Sequence, residues 1–194
     1  MRKILVDVDG VLANFVGAVC QGLQAWSGPS RRPSVVPLRY RPELFREYDM
    51  RKALTEREQE EMHRMCSSPG FCSGLEWYEG AKDWLAELRL LGHVTALTAP
   101  YGNSPHWTEE RREWLRGHVD AVTFCHKERK ADEPGDILIE DRLETCVEWS
   151  KRQGKRSIVV DRPWNQERGG PLVARAYGLP GVSIVAGILA GDIP

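Results

Sequence analysis

Lys3-Ile4-Leu5-Val6-Asp7-Val8-Asp9-Gly10-Val11-Leu12-Ala13 is the stretch from which the fold of this chain is read. Ile4 to Val6 is a short apolar run with two β-branched residues, the composition of a buried strand. It runs directly into two carboxylates that flank one apolar residue and are followed by Gly10. Asp7 and Asp9 therefore fall where a strand gives out and the chain turns, and Gly10 supplies the backbone freedom for that turn. In an open α/β sheet, ligands bind at the carboxyl ends of strands. A lone aspartate at such a place commonly caps the next helix. Two of them, with glycine after, favour a ligand site, because buried carboxylates are costly unless paired or holding a metal.

Outward from this turn, Leu12, Phe15, Val16, Val19, Cys20, Leu23 and Trp26 recur at spacings of three and four, the apolar face of a helix stopped by Gly28-Pro29. Residues 28–42 interleave Pro29, Pro33, Pro37 and Pro42 with Arg31, Arg32, Arg39 and Arg41, which excludes a helix or a central strand. This segment is either a solvated loop or a basic lid over an anionic ligand. Thr55-x-x-Glu58 has the form of a capping box and predicts a helix to Cys66, ended by Ser67-Ser68-Pro69-Gly70. Residues 15–75 thus form a small helical cap inserted after the first strand, and residues 1–14 and 76–194 form the core.

From Glu79 helices and strands alternate. Ala81, Trp84, Leu85, Leu88 and Leu91 make a helix face closed by Gly92, and His93 to Thr98 is a strand. A helix capped by Ser104-Pro105 carries Trp107, Trp114 and Leu115, and Ala121 to Phe124 is the next strand. Asp136 to Ile139 is a strand ending in Glu140-Asp141, with a helix through Leu143, Cys146 and Val147 to Gly154. Ser157 to Val160 is the last strand the pattern supports, and a short helix spans 182–189. The alternation predicts an α/β fold with a Rossmann-like, mostly parallel sheet flanked by helices.

Composition narrows the function. The 194 residues suit one well-filled core with a modest accessory lobe. With 27 basic and 28 acidic residues the net charge is -1, no electrostatic footprint for a nucleic-acid polymer. Five scattered cysteines without a CxxC pair disfavour structural zinc and a disulfide framework, and point to a reducing, cytoplasmic setting. Asp7 interrupts the first apolar run, so it is no signal peptide, and no stretch approaches a membrane span.

In a parallel sheet the strand ends share one edge, which gathers Asp7, Asp9, Thr98, Glu140 and Asp141. Asp7, Asp9 and Asp141 are hard oxygen ligands suited to Mg²⁺. The Thr98 hydroxyl and the backbone N–H groups of the turn at Ala99 suit phosphate oxygens. Lys127 or Lys130, in the loop before the last acidic pair, is placed to offset negative charge there. These are the parts of phosphoryl transfer.

Asp7-Val8-Asp9-Gly10-Val11 resembles the first motif of the haloacid dehalogenase (HAD) superfamily of phosphatases, Thr98 its second, Lys130 its third and Glu140-Asp141 its fourth. Within that superfamily the chain is most similar to the 5'(3')-deoxyribonucleotidases, at Asp7 to Phe15, Phe71 to Gly80, Leu97-Thr98-Ala99-Pro100 and Leu138 to Arg142, in order along residues 1 to about 165. The resemblance implies Asp7 as nucleophile, forming an aspartyl-phosphate, and Asp9 as general acid and then base. It implies Mg²⁺ on the Asp7 side chain, the Asp9 backbone carbonyl and Asp141, with Glu140 supporting that shell and Thr98 and Lys130 on the phosphate. Two departures stand out. Ala99 replaces a usual serine, removing a hydrogen bond to phosphate or sugar, and Glu140 replaces a usual aspartate, lengthening that arm by one methylene.

The implied substrate is a (deoxy)nucleoside monophosphate. By the resemblance Phe15 matches a position that packs against the nucleobase and Phe71 falls near another, although Phe15 on its helix's apolar stripe suits core packing at least as well. Arg142 is either a contact to sugar or phosphate or a surface arginine at a helix start. Trp164-Asn165 resembles a family motif without an assigned role. Alternatives are the same chemistry on a sugar phosphate, a receiver-like regulatory module built on Asp, Thr and Lys, and a glycosyltransferase with a metal-binding Asp-x-Asp. The inserted helices argue against the receiver, and the position of the motif after the first strand argues against the transferase. Pairing of two copies through the inserted helices is compatible with the sequence and required by nothing in it.

Overall fold

The computed structural model describes residues 1–26, 40–102 and 104–192, so most of the Arg/Pro-rich segment at 28–42 lies outside the described residues. Six parallel strands form one sheet: β1 (Lys3–Asp7), β2 (His93–Thr98), β3 (Ala121–Phe124), β4 (Ile137–Glu140), β5 (Ser157–Val160) and β6 (Val173–Ala176), in the order β3-β2-β1-β4-β5-β6. The chain builds outward from β1 through β2 to β3, then returns to lay β4 on the other side of β1. That reversal makes the β1/β4 edge the switch point, where open α/β sheets bind ligands.

The flanking helices are α1 (Phe15–Trp26), α2 (Glu56–Cys66), α3 (Ala81–Leu91), α4 (Trp107–Leu115), α5 (Leu143–Gln153) and α6 (Val182–Ala190). Asn14 starts α1, its Oδ1 accepting the Gly17 N–H at 3.1 Å. Glu58 closes the start of α2, its Oε2 accepting from the backbone N–H and the hydroxyl of Thr55 at 2.8 and 2.7 Å. Between α1 and α2 lie two short 3-10 helices, Pro42–Leu44 and Met50–Ala53. The largest apolar cluster joins Ile4, Val6 and Ile139 of the central strands with Val19 and Leu23 of α1 and Leu85 and Leu88 of α3, and a second joins Leu5, Leu97 and Leu138 with Trp149 of α5.

The fold agrees with the expected α/β architecture and departs in detail. The sequence reading stopped at β5, whereas β6 adds an edge strand. Its Val-Ala-Arg-Ala is half-buried, follows Gly169-Gly170-Pro171 and carries an arginine, so it lacks the apolar run of a central strand. The helix assigned to a Ser104-Pro105 start begins at Trp107. Lys127 and Lys130, placed in a loop by the sequence, lie in a 3-10 helix, Lys127–Asp132.

Candidate active site

Register explains why residues far apart in sequence meet. Asp7 pairs with Leu97 across to β2, so Thr98 is one residue beyond it. Val6 pairs with Ile139 across to β4, so Glu140 is level with Asp7. Carboxylate oxygens of Asp7, Glu140 and Asp141 all lie within 4.8 Å of one another, and all three residues are buried. The Lys130 ammonium joins them, donating to Glu140 Oε2 at 3.0 Å and lying 2.5 Å from Asp7 Oδ1. Only 4% of Lys130 is exposed, which rules out a solvated lysine. The added methylene of Glu140 has a use here: Oε2 reaches Lys130 while Oε1 accepts the backbone N–H groups of Asp141 and Arg142.

The turn after β1 is tightly wound. The Val8 carbonyl accepts the N–H groups of both Leu12 and Ala13 at 2.8 Å, and Asp7 Oδ1 accepts the Val8 N–H at 2.7 Å. Gly10 has φ +87°, and the Arg162 Nε donates to its carbonyl at 2.7 Å. Asp9 stands outside this carboxylate group, and its Oδ1 accepts from Nη2 of Arg111 on α4 at 2.6 Å. Asp141 is held by Trp164, whose indole N–H donates to Oδ2 at 3.1 Å, and by Asn165, whose amide donates to its carbonyl at 2.6 Å. Asp141 Oδ1 and the Thr98 hydroxyl are buried without a hydrogen-bond partner.

Three carboxylates around one lysine leave an excess of negative charge. Burial, reinforced by Glu140, holds the Asp7 carboxyl well above the ordinary carboxylate range against the pull of Lys130. Burial and the charge of Asp7 push Asp141 up to about 7. Burial raises Glu140 against the opposing charge of Lys130, and raises Asp9 against the opposing charge of Arg111. Burial alone would lower Lys130, but Asp7 and Glu140 hold its ammonium well above its usual value. A divalent cation suits this arrangement, because it supplies the missing positive charge and a partner for the orphaned Asp141 oxygen.

A cavity of about 510 Å³ reaches the cluster at Asp141, while Asp7, Thr98, Lys130 and Glu140 lie behind its lining. Asp9, Gly10, Ala99 and Asp141 line its inner end, and Phe15, Tyr48, His63, Tyr101 and Trp107 line its apolar walls. Phe15 lines the cavity, and its ring packs 6.1 Å from those of Phe71 and Trp107. Phe71 does not line the cavity; it backs Phe15 and stacks on Trp107 at 6.2 Å. Arg142 is likewise off the lining, its guanidinium 5.1 Å from the Tyr48 ring and paired with Glu144 at 3.5 Å. Lys127 rather than Lys130 reaches the cavity wall.

Sequence reasoning missed Arg111, Trp164 as an Asp141 donor, Tyr48 and Tyr101. For Arg111 a signal was present. It lies four residues after Trp107 and three before Trp114, a charge on an otherwise aromatic helix stripe.

Comparison with known proteins adds the family. The family described as "5' nucleotidase, deoxy (Pyrimidine), cytosolic type C protein" matches residues 1–177. The human cytosolic-type 5'(3')-deoxyribonucleotidase is 29% identical over 149 residues, covering 72% of this chain and 70% of the human protein. Among solved structures, a haloacid dehalogenase-like hydrolase from Xanthomonas campestris superposes with TM-score 0.60 at 14% identity, covering 98% of this chain and 97% of its own. A HAD hydrolase from Bacillus subtilis bound to magnesium superposes with TM-score 0.53 at 16% identity, covering 95% and 98%. These two likenesses concern the fold. No helix among the described residues is long and apolar enough to cross a membrane.

Proposed function

The chain belongs to the cytosolic type C family of deoxy (pyrimidine) 5'-nucleotidases and is a HAD-type phosphomonoesterase, and on that footing we propose that it hydrolyses (deoxy)nucleoside monophosphates with Mg²⁺ through an aspartyl-phosphate on Asp7. One observation carries the reading: Asp7 ends β1 and Asp141 follows β4, their carboxylate oxygens lie within 4.8 Å of each other, and Asp141 and Asp9 line one cavity.

The Asp7 carboxylate, its Oδ1 held by the Val8 N–H and Lys130, attacks phosphorus. As that bond forms and the ester P–O bond breaks, Asp9 gives its proton to the departing oxygen. In the second half, Asp9 takes a proton from water, whose oxygen attacks phosphorus, freeing Asp7 and inorganic phosphate. The unpartnered Thr98 hydroxyl is a donor for a phosphate oxygen, and Lys130 offsets charge on the transferring group. Mg²⁺ would be held by the Asp7 side chain, the Asp9 backbone carbonyl and Asp141. When bound, it draws charge from the phosphoryl oxygens.

Residues 15–75 act as a cap in this reading and supply Phe15, Tyr48 and His63 to the lining of the cavity that Asp9 and Asp141 share. Flat aromatic walls suit a nucleobase better than a bare sugar. The test is phosphate release from a panel of nucleoside monophosphates and sugar phosphates, with Mg²⁺ and with a chelator. The expected result is a higher kcat/KM on nucleotides, lost with the chelator and in Asp7→Asn. A sugar phosphate turned over faster than every nucleotide would overturn the substrate, and turnover by Asp7→Asn would overturn the nucleophile.

A further inference from the structure

Arg111 is the most deeply buried cation outside the carboxylate cluster, with no exposed surface, and its chemistry is unaccounted for by packing. Its guanidinium carbon lies 5.1 Å from the Trp107 ring centre and 5.3 Å from that of Trp114, so the group is gripped between two indoles of its own helix. The grip is fixed in turn. Trp114 stacks on Trp77 with centroids 3.6 Å apart and planes within 7°, and its indole N–H donates to the Leu75 carbonyl at 2.8 Å. Within this clamp Nη2 donates to Asp9, while Nε and Nη1 are buried without partners. A buried guanidinium with two idle nitrogens is a poor choice for stability, since an apolar side chain of similar volume would serve at least as well. Asp9 is its carboxylate partner among the described side chains, with the Cys72 thiol also beside the guanidinium, and Lys130 is committed to Asp7 and Glu140.

We propose that Arg111 is the positioning residue of the general acid: by occupying Asp9 Oδ1 it confines the transferable proton to Oδ2. The proposal rests on the reading of Asp9 as the group that protonates the leaving oxygen. A guanidinium only donates hydrogen bonds and keeps its protons, so the carboxyl oxygen it binds cannot also carry a proton toward it. Oδ2 is then the one proton-bearing atom of a side chain that lines the cavity and is 29% exposed. As the ester P–O bond breaks and the Asp7–phosphorus bond forms, the Oδ2 proton passes to the departing oxygen. The electron pair left on the carboxylate is shared with the oxygen already bonded to Arg111, so the charge forms where a cation is waiting. No reorganisation of the clamp is needed during the step.

Protonation of the leaving group matters most when that group is a poor one. The test is therefore kcat/KM, which ends at leaving-group departure, across a series from 2,4-dinitrophenyl phosphate through phenyl phosphate to a nucleoside monophosphate. For Arg111→Gln the expected loss is at least about tenfold greater on the nucleotide than on the dinitrophenyl ester. Arg111→Lys restores the charge without the planar stacking and is expected to fall between. A uniform loss along the series would mark Arg111 as merely structural and overturn the proposal. Should Arg111→Gln fail to reach the native state, Arg111→Lys decides alone, and a wild-type dependence on leaving group overturns the proposal. A wild-type protein inactive on every ester would instead refute the proposed function.

Discussion

A Cβ on Gly10 would lie 2.0 Å from Oδ2 of Asp141 and 2.6 Å from its Cγ. The turn after β1 and the carboxylate after β4 thus share a space that admits no side chain. At φ +87° a non-glycine residue is also strained by about 1–3 kcal/mol. Gly10→Ala must therefore displace Asp141 or the turn itself. The expected outcome is a loss in kcat of about 10²-fold, the scale of a 1 Å misplacement at a reacting centre, alongside a lower melting temperature. Unaltered kcat would show that the Asp141 position is not needed.

Asp141 gives a pH dependence whose sign is fixed. Its carboxyl sits near 7 in the folded protein, above the ordinary 3.8 of the unfolded chain. The folded state therefore binds the proton more tightly, and this contribution to stability is whole below the unfolded value and lost as pH rises through about 7. Asp141→Asn carries no such loss. In chelator, its melting temperature is expected to match wild type near pH 4 and exceed it at pH 8, at about 2–4 °C per kcal/mol. Added Mg²⁺ should then raise the wild-type melting temperature at pH 8 and leave the variant nearly unmoved. Equal melting at both pH values would sink the account of Asp141 as a strained carboxylate.

Lys130 is the one ammonium inside a ring of carboxylates, and removing it leaves Asp7 and Glu140 facing each other in the interior. Breaking a buried pair in this way costs about 3–5 kcal/mol. Lys130→Met is expected to lose that much in urea unfolding at neutral pH, and to lose less in acid, where the raised carboxyls of Asp7 and Glu140 take up protons. A stability change independent of pH would mean that packing, not charge, ties Lys130 to the core.

How much of this was legible in the sequence follows from which contacts are set by strands. Asp7, Thr98 and Glu140-Asp141 end strands whose apolar runs are unmistakable, and parallel pairing alone brings such ends to one edge. Lys130 was harder to choose over Lys127, because a 3-10 helix buries one and turns the other to the cavity wall. Trp164 and Asn165 depend on β6, where Arg175 donates to Asn165 Oδ1 at 2.8 Å and to its carbonyl at 2.5 Å. That strand has a weak pattern, so the loop it organises had no visible anchor. The resemblance puts Phe71 near the nucleobase, but a motif match does not tell which ring stands in front: Phe15 lines the cavity and Phe71 packs behind it.

Trp164 offers a change that is small in volume and specific in effect. Trp164→Phe keeps an aromatic ring and removes the N–H bonded to Asp141 Oδ2 at 3.1 Å. Outer hydrogen bonds to metal ligands typically weigh 10–100-fold in metal affinity or activity. The Mg²⁺ concentration for half-maximal activity is expected to rise by about that factor, and kcat at saturating Mg²⁺ to fall much less. An unchanged Mg²⁺ requirement would show that Trp164 serves packing alone.

Phe15 separates the base from the rest of the substrate. Its ring is set by three neighbours, Phe71 and Trp107 at 6.1 Å and Tyr101 at 6.2 Å, yet the residue still lines the cavity. A base stacked there is worth about 1–3 kcal/mol. Phe15→Leu preserves an apolar side chain for the cluster but offers no π-face. KM for a nucleoside monophosphate is expected to rise about 5–150-fold, in proportion to that stacking energy, and KM for phenyl phosphate to rise several-fold less. The comparison cancels any loosening of the aromatic cluster, because both esters place their phosphate over the same carboxylates. Equal rises for the two esters would assign Phe15 to the core and move the base to another wall of the cavity.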